Sequence, residues 1–297
     1  MSFSEQLSEK TNRTEQVVLS FLPKEEGNQK TVLEAMNYSV RAGGKRLRPL
    51  LMAETYAMFG GNEEIIKPFM AALEMIHTYS LVHDDLEAMD NDEYRRGMKT
   101  THVVYGEAMA ILAGDALLNY AFEIAASAFD KSPGDVRAEK AMMVLARKAG
   151  IFGMVGGQVC DVEAEKRNLP LTKEQLLFIH ENKTAALIQA ALMIGAILAG
   201  AKQKDICLLE KIGYNVGIAF QIQDDILDIT GSQQELGKPI GSDEKNNKET
   251  YVTLAGMETA VAQVESLSKE AVELLRELPG EHAFLDELIL SLVQRKK

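Results

Sequence analysis

Cysteine is scarce in this sequence. Only Cys160 and Cys207 occur among the 297 residues, and their spacing fits neither a disulfide framework nor a cysteine-rich metal site. The first residues also lack the basic start and the apolar run of a secretory signal. Together these absences lead us to expect a cytoplasmic protein.

Positive charge is also in short supply. Lys and Arg number 32 against 44 Asp and Glu, which gives a formal net charge of -12. Because nucleic-acid phosphates are bound by clustered Lys and Arg, we expect no nucleic-acid partner. An anionic substrate would instead need a local basic cluster or metal ions.

Only one apolar run approaches the length of a membrane span. The nearest candidate, residues 185–201, falls short of the roughly 20 residues that a span needs and is interrupted by Gln189. Its Ala and Gly residues suit close packing of helices inside a bundle. We therefore predict a buried helix here and no stable membrane insertion.

Alternating, strand-like patterns are nearly absent as well. Apolar residues instead recur at three- and four-residue spacing, which is typical of helices, and the joins between segments are short and marked by Gly or Pro. No linker or change of composition marks a domain boundary, so we predict an all-α protein whose residues 1–297 form a single large helical bundle. The predicted helices cover residues 4–22, 28–41, 47–58, 64–89, 106–128, 136–150, 152–165, 173–200, 204–230, 257–276 and 282–294, with a long ordered loop over 231–256.

One predicted helix carries an acidic stripe among apolar residues. Asp224 and Asp228 lie about 40° apart on a helix, and Gln221 shares their face. Apolar neighbours on nearly every other side argue against a solvated surface, and like charges at this spacing need compensation. Since carboxylate oxygens suit Mg²⁺, which also binds substrate phosphates, the stripe predicts a magnesium site.

A second acidic segment, residues 84–90, has a longer spacer. Asp84 and Asp90 would lie about 240° apart on an unbroken helix, so they can face one ion only if the helix ends or distorts between them. We predict that the helix ends near Met89, before the polar run 90–97.

Basic residues are sparse but cluster near these motifs. Arg95 and Arg96 follow the first acidic segment, and a second cluster lies in residues 43–49. Its Gly-Lys pair is not a P-loop, because no strand precedes it and Arg46 stands where Ser or Thr is needed. A helix N-terminus with Lys and Arg nevertheless suits a diphosphate.

In order and spacing, these motifs resemble the short-chain trans-prenyltransferases (polyprenyl synthases), most of all the bacterial farnesyl diphosphate synthases. The resemblance covers essentially the whole chain and rests on residues 43–49, both acidic motifs, Arg95-Arg96-Gly97, Gly156-Gly157-Gln158-x-x-Asp161, Lys183-Thr184, Phe220-Gln221 and a Gly237-Lys238 loop that ends in Lys248-x-Thr250-Tyr251. It implies the isoprenoid synthase fold, with helices around a central apolar cavity, and a homodimer. The implied reaction is head-to-tail condensation of isopentenyl diphosphate with dimethylallyl or geranyl diphosphate to farnesyl diphosphate, by magnesium-assisted ionisation, condensation and proton elimination.

The same resemblance implies roles for individual residues. Isopentenyl diphosphate would be bound by Lys45, Arg48, His77 and Arg96. The allylic diphosphate would be held by Arg95, Lys183, Thr184, Gln221 and Lys238. Mg²⁺, as three ions once substrate is bound, would lie on Asp84, Asp90, Asp224 and Asp228. The catalytic set would be Asp84, Asp85, Asp90, Lys183, Asp224 and Asp225.

Product length is predicted from the turn of helix before Asp84. Ser80 lies on the same face as Asp84, about 6 Å away, and Tyr79 precedes it. The Tyr79 ring would form the floor of the cavity, while Ser80 leaves space beside it. In related enzymes an aromatic residue here, with the four-residue spacer of the acidic motif, marks the farnesyl type. We therefore expect a C15 product, with C20 geranylgeranyl diphosphate as the alternative.

One residue departs from the family pattern, since Glu87 stands where proline is usual and could have stopped the helix. Other protein classes fit less well. A terpene cyclase generally lacks the second acidic motif and the residue 43–48 site, and a di-iron bundle needs a second copy of the Glu-x-x-His motif that Glu74 and His77 form once. A non-catalytic subunit of a heteromeric prenyl synthase is expected to have eroded aspartates, whereas all six are intact here.

Overall fold

The computed structural model describes residues 1–62, 64–131, 133–167, 170–230 and 249–293. In these residues the secondary structure is helical apart from one two-stranded hairpin, which confirms the all-α prediction. The helices are α1 (Phe3–Ser20), α2 (Lys30–Arg41), α3 (Leu47–Met58), α4 (Ile66–Asp84), α5 (Thr101–Tyr105), α6 (Glu107–Lys131), α7 (Val136–Ala149), α8 (Met154–Arg167), α9 (Lys173–Ile179), α10 (Ala186–Leu198), α11 (Gln203–Thr230), α12 (Tyr251–Ala255), α13 (Met257–Arg276) and α14 (Ala283–Val293). A π-helical turn, His180–Ala185, joins α9 to α10, and strands β1 (Tyr94–Arg95) and β2 (Met98–Lys99) pair antiparallel.

Some predicted boundaries were wrong. The helix predicted over 64–89 ends at Asp84, and the helix predicted over 173–200 is divided by the π-helical turn. Within the predicted loop, residues 231–248 lie outside the described residues, but Tyr251–Ala255 forms α12. That short helix begins because Thr250 and Thr253 form a capping box, which satisfies amides that the first turn would leave unpaired.

The core is built around α10. Every residue of this helix is buried, and it packs against α3, α7 and α11 and also contacts α4. Gly195 lets α10 approach α3 closely, because a Cβ there would collide with the Met52 carbonyl. The helices that carry the two acidic motifs, α4 and α11, therefore share one central neighbour.

The segment considered as a membrane span lies inside the bundle, as predicted, because residues 185–198 are all buried. A different helix passes a test of length and composition for a span. It covers Glu107–Asp130 and is the only such helix in the described parts of the chain. Core helices of soluble proteins pass the same test, and in this structure 39% of the qualifying window is buried, where α6 packs on α4 and α2.

Candidate active site

The first acidic motif lies in a tight turn after α4. The helix ends at Asp84, not near Met89, and the chain reverses so that the Asp90 amide donates to the Asp84 carbonyl at 2.9 Å. Asn91 follows with a φ of 53°, in the left-handed region. Asp90 thus returns towards Asp84, which two ligands of one ion require. Glu87 is exposed in this turn, and the helix ends here although residue 87 is not a proline.

Asp84 occupies an environment that disfavours its own negative charge. Burial, which Lys183 opposes and Asp90 reinforces, raises the pKa of the Asp84 carboxyl from 3.8 to about 6. Gln158 Nε2 donates a hydrogen bond to Asp84 Oδ1 at 2.5 Å. A carboxylate whose charge is incompletely balanced in a cavity is a good candidate for binding a cation.

The second acidic motif forms the stripe that helical spacing predicts. On α11, Asp228 is 2% exposed and Asp224 is half-buried. Thr184 Oγ1 donates to Gln221 Oε1, which orients the Gln221 amide beside the carboxylates. This helix face therefore presents oxygen ligands inside the bundle, away from its outer surface.

Asp225 makes a contact that its place in the motif does not predict. It is buried, and its Oδ2 accepts a hydrogen bond from the Tyr251 backbone amide at 2.7 Å. The carboxylate thus holds the first residue of α12 against α11, and it lies at the helix N-terminus, where negative charge is favourable. In this structure Asp225 positions α12 next to the residues of the site.

Lys183 lies between the two acidic motifs. Its Nζ is 2.6 Å from Asp161 Oδ2, and Asp161 is buried on α8. Gly157 makes this approach possible, because a Cβ there would collide with the Lys183 backbone nitrogen. The π-helical turn that contains Lys183 thus packs directly on α8. A salt bridge that is largely buried holds the lysine in one position.

Gln158 and Asp161 were not assigned a role from the sequence. They are three residues apart and therefore share a face of α8, which turns towards Asp84 and Lys183. The Gly-Gly-Gln-x-x-Asp pattern of the sequence could have indicated this polar face. Its two glycines indicate a close approach of another backbone, and its Gln and Asp indicate polar groups on the same face.

The residues predicted to bind isopentenyl diphosphate form two groups, one in the wall of the large cavity and one at the residue 43–49 cluster. Arg48 and His77 line the large cavity described below. Burial lowers the pKa of the Arg48 guanidinium to about 10, and burial next to Arg48 and Arg96 lowers the pKa of His77 well below 6.5. At neutral pH Arg48 is therefore charged and His77 is neutral. Arg96 donates to the Gly43 carbonyl, which brings it to the residue 43–49 cluster, where Lys45 is exposed.

Arg46 has a structural role. It is 2% exposed and pairs with the buried Glu74 at 2.9 Å and with Glu15 at 3.3 Å. Arg95 is engaged with Asp85, to whose Oδ1 its Nε donates at 2.7 Å. Arg95 and Asp85 both line a small cleft beside the hairpin, and neither lines the large cavity.

A cavity of about 440 Å³ runs between α4 and α8. Its lining is mainly apolar, and the side chains predicted for substrate binding, catalysis or product length that reach it are Arg48, His77, Tyr79, Ser80, Asp84, Lys183 and Thr184. A second cavity of about 130 Å³ is lined by Asp161, Gln221, Asp224 and Asp225, and it shares Lys183 and Thr184 with the first. The two cavities together bring both acidic motifs to one site. Lys238 lies outside the described residues.

The acidic groups suit a metal that substrate helps to bind. Within the described residues, no three Asp, Glu, His or Cys side chains converge on one point. Mg²⁺ keeps several waters and is commonly bound by one or two carboxylates together with substrate phosphates. Asp84 and Asp224, on either side of Lys183, offer oxygen ligands of this kind.

Comparisons with known proteins agree with this geometry. A model of the polyprenyl synthetase family matches residues 29–281. The chain is 48% identical to a geranylgeranyl diphosphate synthase from Cyanophora paradoxa, over 83% of this chain and 82% of the relative. It is 41% identical to the farnesyl diphosphate synthase of Escherichia coli (strain K12) over 100% of both. The solved geranyltransferase from Helicobacter pylori, complexed with magnesium and isoprenyl diphosphate, superposes with a TM-score of 0.83 at 32% identity, covering 99% of this chain and 97% of that one.

Proposed function

The chain belongs to the polyprenyl synthetase family, and from this premise we propose that it is a prenyltransferase that condenses isopentenyl diphosphate with dimethylallyl and geranyl diphosphate to farnesyl diphosphate. One observation carries the proposal. An apolar cavity of about 440 Å³ has Asp84 and Lys183 in its wall, together with Arg48 and His77. Such a cavity can hold a hydrocarbon chain between groups that bind two diphosphates.

The allylic diphosphate is bound by Lys183, Thr184 and Gln221 in this proposal. Lys183 is held by Asp161 at 2.6 Å, and Thr184 by its hydrogen bond to Gln221, so these groups are already positioned before substrate enters. Groups fixed in advance stabilise charge on a departing diphosphate without the cost of reorganisation. Lys238 and Arg95 complete the proposed set, as the family resemblance implies.

Mg²⁺ is the cofactor of the proposed reaction. Asp84, Asp90, Asp224 and Asp228 would hold it, as three ions once substrate is bound, and Asp85 and Asp225 would position the segments that carry them. When bound, it would neutralise the charge that develops on the leaving diphosphate. The pKa of about 6 at Asp84 and the oxygen-rich stripe on α11 support this assignment.

Isopentenyl diphosphate is assigned to Arg48, His77, Arg96 and Lys45. Arg48 supplies charge at the cavity wall, whereas His77 is neutral and offers a ring N–H as donor. The double bond of this substrate would then face the allylic cation inside an apolar space from which water is excluded. The released diphosphate would accept the proton that is lost last, so the reaction needs no catalytic triad.

A C15 product is supported by Tyr79, which is 6% exposed and lines the cavity with Ser80. Burial raises the pKa of the Tyr79 hydroxyl to about 12, so the ring remains neutral beside a hydrocarbon chain. The 48% identity to a geranylgeranyl diphosphate synthase favours C20 as the second candidate product.

The decisive experiment incubates the purified chain with Mg²⁺, labelled isopentenyl diphosphate and either allylic primer, followed by chromatography of the dephosphorylated products. We expect farnesol as the main product and none when EDTA replaces Mg²⁺. Geranylgeraniol as the main product would establish the C20 alternative. No condensation with either primer would contradict the proposal and favour a non-catalytic subunit.

We also propose a cytoplasmic homodimer. Both cysteines are free thiols, as expected for a reducing compartment. On α6, Ile111 is 41% and Leu112 is 50% exposed, and exposed apolar side chains on a long helix suit an interface with a second copy. Sedimentation velocity should give a dimer that Leu112→Asp weakens, with Glu123→Asp on the same helix as control. A monomeric wild-type chain at micromolar concentration would contradict this.

A further inference from the structure

His83 is a residue of the site that the assigned roles leave out. It is on the last turn of α4, one residue before Asp84, and its side chain lines the large cavity together with Tyr79. It is 26% exposed, so it belongs to the cavity wall. Its neighbours show what the ring does there.

The first neighbour is Tyr79, one helical turn away. The centroids of the two rings are 5.8 Å apart and their planes meet at 81°, which is an edge-to-face contact. Residues four apart face each other on a helix, so this contact follows from the local geometry. Packing against the His83 ring thus restricts how far the Tyr79 ring can turn.

The second neighbour is α6. His83 Nε2 donates to the Ile111 carbonyl at 3.1 Å and lies 3.8 Å from Asp115 Oδ1. Gly114, which is buried on the same helix, provides the space for the ring, because a Cβ at this position would overlap the His83 imidazole. The imidazole is therefore held between α6 and the Tyr79 ring.

We propose that His83 is a positioning residue that determines product length. Its imidazole contacts Gly114 and the Ile111 carbonyl, and it holds the Tyr79 ring across the cavity. The inference rests on the proposed function, because it concerns the product of that reaction. Product length then depends on a chain of contacts from α6 through His83 to Tyr79. A ring that is held in place stops an elongating hydrocarbon chain, whereas a ring that can turn aside admits another five-carbon unit.

The test compares the C20:C15 product ratio of three variants with wild type. We expect His83→Ala to raise this ratio roughly tenfold, the discrimination that small changes in an apolar pocket commonly give. His83→Phe keeps an aromatic partner for Tyr79 and should restore most of the C15 preference. His282→Ala, which removes a histidine that does not line the cavity and that contacts Asp286, should leave the ratio unchanged.

Coupling to Tyr79 is tested by a double-mutant cycle. If His83 acts through Tyr79, the variant Tyr79→Ala/His83→Ala should give the same ratio as Tyr79→Ala. Additive shifts in the double variant would overturn the inference. The rate of the first condensation, from dimethylallyl to geranyl diphosphate, separates this role from a general loss of activity, because the floor is not reached by a C10 product.

Gly114→Ala gives a second, independent test that keeps the histidine. Alanine favours a helix more than glycine does, so this variant should fold, but its Cβ must displace the His83 ring. We expect a changed product ratio in the wild-type background and no change when His83→Ala is also present. A C15-only product from both His83→Ala and Gly114→Ala would overturn this inference alone. A wild-type chain without any condensation product would overturn the proposed function, and this inference with it.

Discussion

At the scale of single residues, neighbouring groups with similar chemistry have different tasks. Arg46 and Arg48 are two residues apart, yet Arg46 is buried against Glu74 while Arg48 faces the cavity. The sequence places both in one basic cluster and does not distinguish them. The difference depends on the direction in which each side chain extends at the start of α3. Packing in the folded structure determines that direction.

The first prediction concerns this arginine pair. Arg46→Ala should lower the free energy of unfolding by about 3–5 kcal/mol, because it leaves Glu74 as an unpaired buried charge. Arg48→Ala should instead raise the KM for isopentenyl diphosphate with a much smaller change in stability. Urea unfolding and steady-state kinetics on both variants separate the effects. Equal loss of stability in the two would contradict the assignment.

The second prediction concerns Asp84 in the metal-free protein. Its pKa is about 6 in the folded state against 3.8 ordinarily, so folding favours the protonated acid. Its contribution to stability is present below pH 4 and is lost as the pH rises through 6. At pH 7.5 in EDTA, Asp84→Asn should therefore be more stable than wild type, by about 3 kcal/mol, although it should be inactive.

Thermal unfolding in EDTA at pH 4.5 and pH 7.5 tests this second prediction. The difference in stability between Asp84→Asn and wild type should be largest at the higher pH, since the Asp84 carboxylate of wild type is then negatively charged in a buried position. Glu87→Gln, at an exposed position of the same turn, is the matched control and should be neutral at both. If wild type were more stable than Asp84→Asn at pH 7.5, the negative charge of Asp84 would be compensated by protein groups without metal, and the prediction would be wrong.

At the scale of elements, short contacts between segments position the site. The π-helical turn His180–Ala185 packs on α8 at Gly157, and this contact carries Lys183 to Asp161. A third prediction follows. Gly157→Ala should lower kcat by roughly tenfold to a hundredfold, because a small misplacement of a positioned group is costly. Cys160→Ala on the same helix should keep near wild-type kcat, and an unchanged kcat in Gly157→Ala would contradict the argument.

How far the sequence predicted these elements depends on what stabilises each one. Amphipathic spacing predicted the main helices within a few residues, because burial of an apolar face is repeated along each helix. It missed the end of α4 at Asp84, where the chain reverses and the Asp90 amide donates a hydrogen bond to the Asp84 carbonyl. It also missed the π-helical turn, which packs closely on Gly157, a residue distant in sequence.

The site was predicted in the same uneven way. Asp224 and Asp228 follow from helical geometry alone, and the structure has them on one stripe of α11. The roles of Asp161 and His83 depend on contacts across the bundle, to Lys183 and to the Ile111 carbonyl, and no local pattern states which partner a side chain will meet. Tertiary contacts of this kind lie beyond what spacing can predict.

At the scale of the whole molecule, the site joins two halves of the chain. Asp84 comes from α4 and Asp224 from α11, and Lys183 lies between them, so a magnesium diphosphate bound there would hold the halves together. A ligand that binds only the folded state stabilises it by RT ln(1 + [L]/Kd), about 2.7 kcal/mol at a hundredfold excess over Kd. Stabilisation by inorganic diphosphate should therefore require Mg²⁺, and Mg²⁺ stabilisation should increase with diphosphate.

This fourth prediction is checked by thermal unfolding with Mg²⁺, with diphosphate, and with both. We expect a clear rise in Tm only with both, and its loss in Asp224→Asn as well as in Asp84→Asn, because each half supplies ligands that the other cannot replace. Asp115→Asn, an exposed carboxylate on α6, should keep the full rise. If Asp224→Asn kept the rise while Asp84→Asn lost it, diphosphate would bind to the first motif alone, and the two cavities would not act as one site.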